Sequence, residues 1–258
     1  MSDGRGGVRA VSRAVQALEL VAEAGELGVT DLGRRLGVHK ATASRLAATL
    51  AEGGLLDRDP LTDRYRLGVG LIRLVGAAMA GFDLVRTARP VLEELAERTR
   101  ETVNVGVLSG DEVLYVDQVS GPRLLVSANW VGRRTPLHCS ASGKVFLAHL
   151  PEPAREQSLA LPLPALTPQT VTDPTCLRRQ LEEIRVRGYA TIQEEIEEGL
   201  NAVAAPVRQA GGEVVAALSV SGPAFRVRSI DLPRLGRVTI DAAVAVSRRL
   251  GYLGGTGD

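Results

Sequence analysis

The chain has 258 residues, with 31 Lys+Arg against 30 Asp+Glu and a formal net charge of +1. That length suits two domains better than one, and a hydrophobic share of 45% supplies real cores, which excludes a mostly disordered chain. No apolar run of about 18 residues occurs, so no transmembrane helix and no membrane partner is expected.

Apolar positions at Val11, Ala14, Val15, Leu18, Val21 and Ala22 recur at helical spacing and predict a helix over 8–24, stopped by Gly25. Thr30 is placed to cap a short second helix, with Leu32 and Leu36 inward and Gly37 at its end. A third helix runs from about Lys40 to Glu52. Ala43, Leu46, Ala47 and Leu50 face in, while Thr42, Arg45 and Thr49 share a more exposed face. Two short helices across a tight glycine turn make a helix-turn-helix candidate. Leu55 to Leu67 then reads as two short strands around a turn rich in Pro, Thr and Asp. That hairpin turns the unit into a winged helix-turn-helix. Arg64 and Arg66 alternate with Tyr65 and Leu67, so both arginines share one strand face.

A linking helix is predicted next, with an apolar stripe of Leu67, Leu71, Leu74, Val75, Ala78 and Phe82. The stripe packs either on a second subunit or on the chain's own second domain. From residue 83 the pattern becomes α+β. A helix over about 86–100 carries Pro90 in its first turn. Alternating runs at 102–108 and 112–117 flank a Ser109-Gly110-Asp111 turn, and a third run spans 124–130. A helix opens near Ser140 and reaches Leu150, and the Pro-rich 151–172 reads as loop. Asp173 caps a helix with Pro174 at its first position. Strands follow at 202–207 and 214–221, and a last helix spans 232–250. The domain bounds are therefore 8–68, 69–82 and 83–252.

A recognition helix needs short polar side chains and arginine on its outer face, because arginine can bond two acceptors of a guanine edge. Lys40, Thr42, Ser44 and Arg45 supply such groups, and Arg64 and Arg66 of the wing suit phosphates or the minor groove. Residues 32–51 hold Arg34, Arg35, Lys40 and Arg45 with no acid. Charge alone fits an ordinary solvated face as well as a DNA face. In the second half, Ser219 and Ser221 sit two apart, so their hydroxyls share a strand face with Ala217, opposite Val214, Ala216, Leu218 and Val220. Ser140, Ala141, Ser142 and Gly143 open a helix whose free N–H groups suit an anion such as a carboxylate; plain N-capping by Ser140 is the alternative.

Enzyme chemistry finds little support. Ser140 to Lys144 lacks the first glycine of a phosphate loop, and Val145 stands where Ser or Thr is needed. No Gly-x-Ser-x-Gly elbow occurs. His138 and Cys139 are adjacent, which suits neither a metal pair nor a Cys–His dyad, and His39, His138 and His149 show no ligand spacing. Glu194, Glu195, Glu197 and Glu198 read as a solvated run. No cofactor is expected. Cys139 and Cys176 cannot build a disulfide framework, and the first residues carry no apolar leader core, so a cytoplasmic setting is expected.

Several stretches in order resemble the IclR family of bacterial transcription regulators. They are Ala17-Leu18-Glu19-Leu20, Leu36-Gly37-Val38-His39-Lys40-Ala41-Thr42-Ala43-Ser44-Arg45-Leu46, Asp57-Arg58-Asp59 and Arg64-Tyr65-Arg66-Leu67-Gly68. The second half adds Gly132-Arg133-Arg134-Thr135-Pro136-Leu137-His138, Ser142-Gly143-Lys144, Arg187-Gly188-Tyr189-Ala190 and Ala216-Ala217-Leu218-Ser219-Val220-Ser221-Gly222-Pro223. The resemblance implies a winged helix-turn-helix, a linking helix and a GAF-like effector domain. It also implies a double-stranded DNA operator, homodimers often paired into tetramers, and a small effector; the helix opening at Ser140 with Ser219 and Ser221 makes a small organic acid the expected one. It places the Ser140 and Ser219 segments on a pocket wall, with Ala202, Leu200, Ile192 and Leu124 as further lining. Family members usually carry Ser-Thr-Val-His/Tyr-Arg in the recognition helix. Here Ala41 and Ser44 differ, so the operator is this protein's own. An acidic residue is common near Ile192 and a polar residue or cysteine at Ala202; both are apolar here, which favours an acid with some hydrocarbon or aromatic body. A competing function remains open on sequence: a small-molecule sensor or enzyme whose helix-turn-helix serves as a protein interaction module.

Overall fold

A computed structural model describes residues 9–74, 83–121 and 129–254, and the chain divides into two compact units at residue 83. The first unit opens with α1 (Arg9–Ala24), β1 (Glu26–Gly28), α2 (Val29–Arg35) and α3 (Lys40–Glu52). The hairpin β2 (Leu56–Arg58) and β3 (Arg64–Leu67) follows. The sheet order is β1-β3-β2, antiparallel throughout. Ala17, Val21, Leu32, Ala47, Leu56 and Tyr65 fill its core.

Three details depart from the sequence expectation. On α1 the buried line runs through Ala17 and Val21, while Val11 and Val15 are 61% and 50% exposed. The three residues of β1 pair with β3, a strand too short for alternation to reveal. Because α2 starts directly from that strand at Val29, Thr30 lies inside the helix, and Gly28 occupies the cap without a side-chain bond. Beyond the wing, residues 70–74 are helical. The rest of the expected linking helix, 75–82, lies outside the described residues, as do Leu124 and most of the expected 124–130 run.

The second unit is built on a six-stranded antiparallel sheet, in the order β6-β5-β4-β9-β8-β7. Its strands are β4 (Thr102–Ser109), β5 (Glu112–Val119), β6 (Arg134–Pro136), β7 (Ala190–Gln193), β8 (Leu200–Arg208) and β9 (Val214–Pro223). The helices are α4 (Asp83–Thr99), α5 (Ala141–His149), α6 (Glu152–Leu159), α7 (Pro174–Arg187) and α8 (Leu232–Arg249). α4 and α8 cover the face carrying Val103, Val203, Leu218 and Val220. α5 and α7 cover the other, where Ala202, Ala204 and Ala217 leave room for close approach. The class is α+β, with a helix-turn-helix ahead of a curled antiparallel sheet.

Here too the structure corrects particular readings. α4 begins at Asp83, so Pro90 lies in its interior rather than in its first turn; it is exposed, where its ring and missing N–H are best tolerated. Part of the expected 151–172 loop is α6, whose proline near the N-terminus falls in the first turn, where no N–H is required. Short edge strands β6 and β7 were too brief to read from alternation. Val214 packs on the α5 side, against the expected parity with Ala216. A register shift between Val207 and Arg208 turns the strand at that point.

Candidate DNA-binding and effector sites

α3 is held by its inner line Ala43, Ala47 and Leu50. Gly33 of α2 permits the crossing: a Cβ there would meet Val38 O at 3.1 Å and Ala43 Cβ at 3.4 Å. Gly37, with φ of +63°, turns the chain between the two helices. This packing leaves Lys40, Ser44 and Arg45 exposed and Thr42 half-buried on the outer side of α3. Thr49 turns its hydroxyl back onto Arg45 O at 3.0 Å.

The wing tip is an Asx-type turn. Asp59 Oδ1 accepts from Leu61 N at 2.8 Å and Thr62 N at 3.2 Å, which holds the Asp59 carboxyl below its ordinary pKa. Its arginines are not equivalent. Arg58 pairs with Asp63 at 2.6 Å, and Arg64 pairs with Glu26 Oε1 at 2.9 Å. Arg66 makes no ion pair among the described residues. Arg64 thus serves first as a tie between β3 and β1.

In the second unit, a narrow, closely packed pocket has a cavity volume of about 20 Å³. It brings together Ser140, Ala141, Ile192, Leu200, Ala202, Ser219 and Ser221, residues spread over 82 positions of sequence. Antiparallel register explains the floor: Ala202 faces Ser221, Ile192 faces Ala202, and Asn104 faces Ser219. Asn104, Tyr115, Trp130 and Ile196 complete the lining and were not legible from local pattern. Tyr115 and Trp130 meet edge to face with centroids 5.7 Å apart, and Arg133 stacks on the indole at 5.4 Å. Burial pushes the Tyr115 phenol pKa up, and the Ser142 and Thr135 hydroxyls beside it pull the other way.

The opening turn of α5 divides its labour. Ser140 Oγ accepts from Gly143 N at 3.1 Å and donates to Pro136 O at 2.9 Å. Ser142 is fully buried and lies outside the pocket lining. Gly143 also lies outside it. A Cβ there would come within 2.4 Å of Leu137 Cα and O, so close backbone packing requires glycine. The Ala141 and Ser142 N–H groups belong to the first helical turn and have no intrahelical acceptor.

Behind the pocket sits a feature that the sequence disguised. Glu195, expected in a solvated run, is buried and accepts two bonds from Lys144 Nζ, both at 2.6 Å. Lys144 also donates to Gln180 Oε1 at 2.8 Å. Burial lowers the lysine pKa and raises the glutamate pKa, and each partner's charge opposes that push. Burial also drives the Cys139 thiol up to about 12, so it is no thiolate nucleophile at neutral pH. His138 Nε2 sits 3.0 Å from Pro164 O, and burial lowers its pKa. Among the described residues no group of three His, Cys, Asp or Glu is arranged for a metal, and no helix is long and apolar enough to cross a membrane.

Comparison with known proteins places these two sites in a family. Residues 10–60 match the family described as "IclR helix-turn-helix domain", and residues 76–248 match "Bacterial transcriptional regulator IclR C-terminal". The chain is 36% identical over 247 residues to the HTH-type transcriptional regulator BhcR of Paracoccus denitrificans, covering 95% of this chain and 88% of that one. It is 35% identical to the HTH-type transcriptional regulator XynR of Escherichia coli, covering 95% and 98%. Among solved structures, an IclR regulator from Alicyclobacillus acidocaldarius aligns with a TM-score of 0.84 at 31% identity, over 95% of this chain and 100% of that one. An IclR homolog from Microbacterium hydrocarbonoxydans, complexed with 4-hydroxybenzoate, aligns with a TM-score of 0.83 at 31% identity, over 93% and 98%. The chain belongs to the IclR family of bacterial transcriptional regulators, DNA-binding proteins with a winged helix-turn-helix and an effector-binding second domain.

Proposed function

We propose that this regulator is a cytoplasmic repressor, not an enzyme, and that a small organic acid governs its hold on the operator. The observation carrying the reading is the pocket itself. It sets the N-terminus of α5 at Ser140 and Ala141 and the hydroxyls of Ser219 and Ser221 in one lining, with Asn104 and a mostly apolar and aromatic remainder. A carboxylate suits the helix end, where N–H donors and the dipole favour negative charge. Among the described residues no arginine or lysine lines the pocket, so hydrogen bonds set a modest affinity. Ile192, Ile196, Leu200 and Ala202 suit a hydrocarbon or aromatic body, and a related protein complexed with 4-hydroxybenzoate supports that class.

Lys40, Thr42, Ser44 and Arg45 read bases, while Arg64 and Arg66 meet the backbone or minor groove. The protein acts as a homodimer or dimer of dimers matched to paired half-sites, with the linking helix contributing to the subunit contact. The acid shifts a balance between DNA-competent and incompetent forms by its differential affinity for the two. A gel shift on the protein's own promoter tests this reading. Binding should weaken steeply with salt and be released by an acid from a metabolite panel. Salt-insensitive binding, or retention with every acid, would count against it.

A further inference from the structure

Asn104 lines the pocket from β4, facing Ser219 in register. Its side chain is 3% exposed and lines the cavity. The amide donates from Nδ2 to Ser221 Oγ at 3.4 Å, a long bond. Its Oδ1 is buried and has no hydrogen-bond partner among the described residues. A buried carbonyl oxygen left unpaired is costly, and such groups in folded proteins are satisfied by protein, water or ligand. Ile192, Ile196, Leu200 and Ala202 of the lining are apolar, and none of its described polar side chains, Ser219 opposite included, bonds to that oxygen.

We infer that Asn104 is a specificity-determining residue whose Oδ1 accepts a hydrogen bond from a hydroxyl on the effector, so that the pocket selects hydroxylated carboxylic acids over their unhydroxylated counterparts. The inference rests on the organic-acid reading above and adds a requirement to it. An ionised carboxylate offers only acceptors and cannot satisfy Oδ1, whereas a hydroxyl can donate to it. With the carboxylate at the α5 N-terminus and the hydroxyl at Asn104, the two polar groups of the ligand are read from different walls.

The pocket supplies its own probe, because Trp130 is the chain's single tryptophan and lines it. Dissociation constants are measured on the full chain by Trp130 fluorescence and by calorimetry, using matched pairs. These are 4-hydroxybenzoate with benzoate and 3-hydroxybutyrate with butyrate. In wild type, the hydroxylated member of at least one pair should bind roughly ten- to a hundredfold more tightly, the scale set by one unpaired buried polar group. Asn104→Leu, of similar size and without polar atoms, should collapse that ratio toward one while the unhydroxylated acid still binds. Circular dichroism checks its fold, and the wild-type comparison stands without it. Equal affinities within every pair, or a preference that survives in a folded Asn104→Leu, overturns the assignment and leaves the acid reading intact. No binding of any of the four acids overturns both.

Discussion

Lys144 and Glu195, 51 positions apart, form a buried ion pair with side chains 1% and 9% exposed. Thr167 and Thr170 fasten the same segment by donating to Glu194 O and Glu195 O, each at 2.6 Å. The pair therefore anchors the stretch that places Ile196 in the pocket to the helix that places Ala141 there. Removing one partner strands a buried charge. Lys144→Met or Glu195→Leu alone should cost about 3–5 kcal/mol, while the two together should cost less than either. Urea denaturation followed by Trp130 fluorescence reads this unit directly. Additive losses in the double variant would show that the two groups act separately.

Arg45 lies on the outer face of α3, exposed and without an ion pair among the described residues. Arg45→Ala should weaken specific operator binding by about 1–3 kcal/mol, the size of a good base contact. An unchanged gel-shift midpoint would remove Arg45 from the readout.

Arg64 is committed to Glu26, whereas Arg66 makes no ion pair among the described residues. Arg66→Ala should lower the slope of log affinity against log salt by about one, as expected for one lost phosphate contact. Arg64→Ala should lower it less, and Glu26→Gln should raise it by releasing Arg64. The ordering of the three slopes is the measurement, and equal slopes for the two arginine variants would contradict it.

Gly143 meets the Leu137 backbone where a Cβ has no space. Gly143→Ala should destabilise the second unit by about 1–3 kcal/mol through overpacking. A melting temperature within error of wild type would mean that the α5 turn yields more readily than its contacts indicate.

Ser219 and Ser221 face the pocket from β9. A thermal-shift panel of metabolite acids should find an acid that releases DNA and stabilises wild type. Ser219→Ala/Ser221→Ala should lose most of that stabilisation. If such an acid protects both proteins equally, the ligand sits elsewhere.

Much of this architecture was readable along the chain because it depends on local spacing. The 3.6-residue period put Ala43, Ala47 and Leu50 inward and left Arg45 out, as α3 shows. Period two put Ser219 and Ser221 on one face of β9, and Asp173 with Pro174 marked the start of α7. Periodicity names a face and stays silent about what covers it. Asn104 reads as one polar residue in a strand until β4 pairs with β9 and sets it opposite Ser219. Glu195 reads as one of four surface acids until α5 delivers Lys144 to it. Val214 follows its strand's parity until the Val207/Arg208 irregularity reverses it. Charge state, pairing and cavity shape are properties of neighbours distant in sequence, and register and packing alone bring those neighbours within bonding distance.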